Sequence, residues 1–145
     1  VSNVDFHVKT AEVYLSEINQ RFDCVYLDPA RRSVDNQKLV RIADLSPNFI
    51  EISNQIWNIT DHVLLKLSPM IDLAQMQREV SNIREIFVVG VKNEVKEVLL
   101  MLEKGWNSSP IIQTLNYINK EKTQKTGLKN PEKNEKRKHF EKAEH

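Results

Sequence analysis

The residues best placed to do chemistry are those that interrupt apolar runs. Residues 22–27 (Phe-Asp-Cys-Val-Tyr-Leu) end abruptly in Asp28-Pro29-Ala30-Arg31-Arg32. A carboxylate at the tip of a buried strand can accept a hydrogen bond from a nucleophile. The proline that follows fixes φ and removes an N–H, so the next turn is stiff. Two arginines then offer forked donors for a phosphate or carboxylate. A second apolar run, residues 61–67, carries Lys66 near its end and stops at Ser68-Pro69. A third segment, Thr10-Ala11-Glu12, follows the alternating residues 4–9. In open α/β sheets ligands sit beyond the carboxyl ends of the strands, and all three segments occupy such positions. Each has a plainer reading: Asp-Pro as a turn, Arg31 and Arg32 as a solvated loop, and Lys66 as a snorkelling side chain. Their recurrence at consecutive strand ends favours a shared pocket.

The elements that must hold these residues follow from periodicity. Val4, Phe6 and Val8 alternate with polar residues and predict a half-buried strand. Thr10 suits the cap of a following helix. The runs 22–27, 61–67 and 85–91 are nearly continuous and apolar, the pattern of parallel strands buried on both faces. Helices are expected from Ser46-Pro47-Asn48 to Trp57 and over residues 72–80. A further helix is expected over residues 94–104, with Val95, Val98, Leu99 and Leu102 at helical spacing, Asn93 as its cap and Gly105 as its stop. Residues 110–118 predict one more strand. The expected fold class is α/β: a partial Rossmann-like sheet of four to five strands, doubly wound, with helices on both faces.

The chain has 145 residues, 40% of them hydrophobic, enough for one core. Its net charge of +1 conceals an imbalance. Residues 1–119 hold 12 Lys/Arg against 15 Asp/Glu, whereas residues 120–145 hold 9 against 5. The domain is therefore expected over 1–118, with 119–145 a charged tail, helical or disordered. The basic tail gives a weak reason to expect nucleic acid. One cysteine and four histidines form no zinc pattern, and Cys24, inside an apolar run, is expected to be buried and reduced. Trp57 and Trp106 are expected in the core or at helix ends. No signal peptide and no spanning run are visible, so the default location is the cytoplasm.

The ordered set DPARR, ADLSPNF, LLKLSPMIDL and FVVGVKNEVKEVLLML resembles class I S-adenosylmethionine (SAM) methyltransferases. It is most similar to the bacterial family that carries a THUMP-like domain. Residues 22–32 look like motif IV of those enzymes, and the resemblance runs through about residue 118. It implies SAM as cofactor and methyl transfer as the reaction. Asp28 and Pro29 would be catalytic, and Thr10, Ala11 and Asp28 would lie against the cofactor. Arg31, Arg32, Lys66, Ser68 and Pro69 would bind substrate, with Asn93 and Glu94 as weaker candidates whose plain role is a helix start. RNA is the acceptor class it suggests.

Two features depart from the family. The position after Ala30 holds Arg31, where amino-methylating members have an aromatic residue. The glycine-rich turn that lets backbone approach the cofactor is also absent, since the three glycines are Gly90, Gly105 and Gly127. The expectation is the C-terminal half of a catalytic domain, inactive alone, needing the missing N-terminal half as partner and prone to self-association. Two other readings stand beside it: a non-catalytic RNA-binding or interaction module using Arg31, Arg32 and the tail, and a different Rossmann-like nucleotide binder.

Overall fold

The computed structural model describes residues 3–32 and 40–118, and the backbone of 121–126. Among them, three α-helices, one short 3-10 helix (Ile42–Asp44) and eight strands occur, the α-helices and strands in chain order being α1 (Ala11–Glu17), β1 (Val25–Leu27), β2 (Ala30–Arg31), β3 (Leu45–Ser46), α2 (Phe49–Ile59), β4 (His62–Leu67), α3 (Leu73–Glu79), β5 (Ile83–Val91), β6 (Glu94–Glu103), β7 (Ile111–Ile118) and β8 (Glu121–Thr126). Six strands form one sheet in the order β1-β4-β6-β5-β7-β8, and β2 pairs with β3 separately. The α/β class holds.

β1 runs parallel to β4 with Leu27 opposite Leu65, and β5 runs parallel to β7. β6 lies antiparallel between β4 and β5, and β8 is antiparallel to β7. The sheet is thus mixed, and the expected helix over 94–104 is a central strand. Lys92 and Asn93 explain the difference. Both have positive φ, 51° and 64°, and together they make the two-residue turn that folds β6 back on β5, a geometry that matches the right-handed twist of the strands. Asn93 is therefore a turn residue and not a helix cap. Gly105 does take positive φ, 81°, but it ends a strand.

One face of the sheet carries Val63, Leu65 and Leu67 of β4, Val98, Leu100 and Leu102 of β6, and Ile83 and Ile86 of β5. All are 5% exposed or less. Phe49, Ile52 and Ile56 of α2 and Met76 of α3 pack on this face, and Ala11 and Leu15 of α1 join its edge. The helices start where the sequence allows. Thr10, Asn48 and Asp72 each accept a backbone N–H of the first turn, satisfying donors that would otherwise be orphaned.

The opposite face holds Tyr26, Leu64, Leu99, Met101, Phe87 and Leu115. Cross-strand register places them together, and they are half-buried apart from the exposed Tyr26. Among the described residues no helix covers it, so the helix layer is found on one face.

Three further expectations change. Residues 4–8 belong to no strand, and Phe6 and Val8 are open to solvent, 89% and 103% exposed. Cys24 is exposed; among the described residues β1 has no neighbour on its outer side. Residues 121–126 of the tail form a strand; 119–120 and 127–145 lie outside the described residues.

Candidate functional site

Side chains alternate along a strand, so Asp28 falls on the same face as Tyr26. The parallel register pairs Tyr26 with Leu64 and Leu27 with Leu65, which puts Lys66 beside Asp28. The Lys66 ammonium donates to Asp28 Oδ2 at 2.6 Å. The two carboxyl ends are therefore at the same end of the sheet and joined by an ion pair. The pair is partly open, with side chains 33% and 49% exposed for Lys66 and Asp28, so it fixes orientation more than it adds stability. The hydrogen bond to Asp28, with the charges of Asp28, Tyr26 and Glu97, raises the Lys66 ammonium above its ordinary value against a smaller opposing effect of burial.

The residues after Asp28 are tied down by short pairings. Ala30 and Arg31 pair with Ser46 and Leu45, and the Arg32 N–H donates to the Asp44 carbonyl at 2.8 Å. Pro29 is half-buried and Arg31 and Arg32 are exposed. The Ser46–Pro47 peptide bond is cis. Arg32 also acts on Glu12, so the start of α1 approaches the same corner. The Glu12 carboxyl is held below its usual range first by its own backbone N–H, then by the Thr10 hydroxyl and Arg32. Thr10 itself accepts the Val13 N–H at 3.3 Å, so its hydroxyl serves the helix. Ala11 lies beside it, half-buried.

On the β4 side, the Met70 N–H donates to Ser68 Oγ at 3.2 Å and the Ile71 N–H to the Ser68 carbonyl at 3.1 Å. These bonds make a tight turn that leaves Ser68 and Pro69 exposed. Val40 bridges to Ile71 and anchors the return of the chain from the arginine loop. Asn93 and Glu94 lie at this end of the sheet but at the turn between β5 and β6, three and two places across from β1. Their environment there is structural: Asn116 Nδ2 donates to Asn93 Oδ1 at 2.6 Å, and the Asn93 N–H donates to Asn116 Oδ1.

The structure thus gathers Asp28 and Lys66 in direct contact and Pro29, Arg31, Arg32, Ser68 and Pro69 on the loops that follow the same two strands. Glu12, Tyr26 and Glu97 also belong to the neighbourhood. Tyr26 was legible two residues before Asp28. Glu97 was not, since its segment has the periodicity of a helix.

A cleft of about 540 Å³ lies elsewhere, lined by Ser81, Asn82, Trp106 and Asn107 among others. It opens at the amino ends of β5 and β7, opposite the Asp28 corner, where an α/β sheet does not ordinarily bind its ligand. Trp106 is half-buried there under the Arg84 guanidinium, 5.5 Å from the ring centre. Trp57 packs edge-on to Phe49 on α2. Among the described residues no group of three or more His, Cys, Asp or Glu could hold a metal, and no helix is long and apolar enough to cross a membrane.

No family model and no curated protein matches the chain. It is similar to a solved structure from Porphyromonas gingivalis W83, described as a "putative methyltransferase", with 30% identity and a TM-score of 0.60. The similarity covers 72% of this chain and 26% of that one, so this chain spans about a quarter of that protein's length. What the sheet and this likeness establish together is a methyltransferase-like fold.

Proposed function

We propose that this chain forms the acceptor-side wall of a SAM-dependent methyltransferase site. The observation that carries the reading is the 2.6 Å pair between Asp28 and Lys66 at the carboxyl ends of two in-register parallel strands, within a fold similar to a methyltransferase-described structure. The residues present suit one margin of the cofactor only. Thr10, Ala11 and Asp28 can line it, but the sequence has no Gly-x-Gly turn to admit it closely. SAM, where bound, supplies the methyl group. The chain's own residues do the rest.

Asp28 accepts a hydrogen bond from the acceptor's N–H or O–H and orients its lone pair. Lys66 holds the Asp28 carboxylate in place through its 2.6 Å hydrogen bond. Pro29 stiffens the turn between them and the arginines. Arg31 and Arg32, with the Ser68-Pro69 turn opposite, face an anionic acceptor, for which RNA is the class we infer. Such alignment is where a methyl-transfer enzyme gains most of its rate. The chain alone, lacking the cofactor's main cradle, is inactive in this reading.

The test grafts this chain into the Porphyromonas gingivalis protein in place of the segment it matches. The graft should bind SAM by calorimetry and transfer labelled methyl groups to bulk RNA. Asp28→Ala in the graft should lower transfer by about 10²-fold or more while leaving the melting temperature nearly unchanged. A graft that binds no SAM, or an Asp28→Ala variant with full activity, defeats the reading.

A further inference from the structure

The cleft at the amino ends of β5 and β7 carries chemistry that the Asp28 corner does not use. Its volume is about 540 Å³, and Gln77, Ser81, Asn82, Trp106, Asn107 and Ser108 supply its polar lining. No ionisable side chain lines it among the described residues. Three carboxamides and two hydroxyls offer both donors and acceptors, and Ile83 and Pro110 add apolar wall.

Two turns at this cleft are locked to each other. Asn82 and Gly105 both take positive φ, 64° and 81°. Asn82 Oδ1 accepts the Gly105 N–H at 3.0 Å, and the Asn82 carbonyl accepts the Glu103 N–H at 3.0 Å. The Trp106 backbone N–H donates to the Glu103 carbonyl at 3.0 Å, and the Arg84 guanidinium lies 5.5 Å from the ring centre. The indole is thus held, yet its own N–H is enclosed and meets no acceptor among the described residues. Buried donors left unmet are rare in folded proteins, so this one asks for a partner. Gln77 and Asn107 are exposed, and their carboxamides make no hydrogen bond to another described residue.

We propose that this cleft binds a single unpaired nucleobase, with adenine as the best match. A side-chain carboxamide presents a donor and an acceptor side by side, which pair with adenine N7 and N6. Gln77 and Asn107 are free to do so. The Trp106 indole N–H, brought to the cleft by a small turn of the ring, donates to a further ring nitrogen. Unstacked bases are commonly held in this way, by hydrogen bonds at their edges beside an aromatic plane. The neutral lining suits a base and disfavours a phosphate, which calls for cationic donors. A saccharide could use the hydroxyls, but it has no flat edge for a carboxamide fork. Methyl transfer plays no part here, since the cleft lies at the end of the sheet opposite Asp28.

The test follows the Trp106 indole N–H by heteronuclear NMR in the full chain, with Trp57→Phe assigning the two indole signals. Adenosine should move the Trp106 signal downfield and saturate with a Kd of about 0.1–1 mM, as befits a ligand of its size. The Trp57 signal should stay in place. Gln77→Ala and Asn107→Ala should each weaken binding by about fivefold, the loss of one hydrogen bond, and both should melt as the wild type does. Asp28→Ala should leave the shift unchanged. An oligoadenylate that moves the same signal at about tenfold lower concentration names single-stranded RNA as the source of the base, and an equal Kd names the free nucleoside.

A Trp106 signal unmoved at about 10 mM adenosine overturns the proposal. So does a shift that Gln77→Ala and Asn107→Ala both leave intact, or one that Asp28→Ala abolishes, because adenosine then sits elsewhere. Glucose moving the Trp106 signal where adenosine does not would make the cleft a sugar site, and overturns it too. A graft that binds no SAM, beside an intact Trp106 shift in the chain alone, removes only the functional reading.

Discussion

β4 and β1 are parallel neighbours in register, and both end in a polar residue that meets the other's. Their surroundings could hardly differ more. β4 has a strand on each side and α2 and α3 over one face, so Val63 and Leu65 are fully buried. Among the described residues β1 has a strand on one side only, and Cys24 and Tyr26 meet solvent. Apolar sequence alone does not bury a strand; neighbours do.

The largest test of this contrast is stability. Leu65→Ala removes a fully buried side chain from β4 and should cost about 3 kcal/mol, as transfer and cavity losses add. Tyr26→Ala on β1 should cost about 0.5 kcal/mol or less, because little is buried there to lose. Urea denaturation of both variants measures the pair. Similar losses would mean that β1 is covered in solution and that the contrast is wrong.

β6 carries the same comparison within one strand. Leu100 faces the helices and is fully buried, while its neighbour Leu99 faces the open side and is half-buried. Leu100→Ala should cost about 3 kcal/mol and Leu99→Ala about 1 kcal/mol, in proportion to the apolar area each keeps from water. Should Leu99→Ala prove as costly as Leu100→Ala, something covers the open face even in the isolated chain.

β6 also shows what the sequence could and could not convey. Its composition of Glu, Lys, Leu, Val and Met favours helix, and Val95, Val98, Leu99 and Leu102 fit a helical period. The competing period of two, with Val98, Leu100 and Leu102 on one face and Leu99 and Met101 on the other, was equally present. Tertiary context chose between them: the Lys92–Asn93 turn returns the chain along β5, and β4 offers a second edge. The strands at 83–91 and 111–118 were legible because β-branched and aromatic residues concentrate there, and the strand at 62–67 as a short apolar run stopped by Ser68-Pro69. The caps at Thr10, Asn48 and Asp72 are a local matter of one side chain and one N–H, so those helix starts were legible too. Of the site, the neighbourhood of Asp28 and Lys66 followed from two runs ending at the same end of a parallel pair. The exposure of Cys24 did not, since local sequence cannot tell a strand that its neighbour is absent.

The smallest predicted effect concerns the ion pair that joins the two strands. The Lys66 ammonium is raised above 10.5 in the folded chain, chiefly by its hydrogen bond to Asp28. A folded-state value above the unfolded one means that the native state holds its proton more tightly. The resulting stability is fully present below pH 10.5 and declines as pH rises through the raised value. Asp61 behaves oppositely. Its carboxyl is lowered from 3.8 mainly by the hydrogen bond from Arg21, so its contribution is present above that value and fades as pH falls through the lowered one. Other lysines and tyrosines also titrate in alkali, so the informative quantity is the difference between the wild-type chain and Lys66→Met. Urea titrations should find that difference constant from pH 6 to 9 and shrinking above 10.5, while Asp61→Asn should depart from wild type independently of alkali. Because both groups are solvent-screened, the changes should be small. A Lys66→Met difference that does not shrink in alkali would mean that the ammonium does not hold Asp28, leaving β1 joined to β4 by its backbone alone.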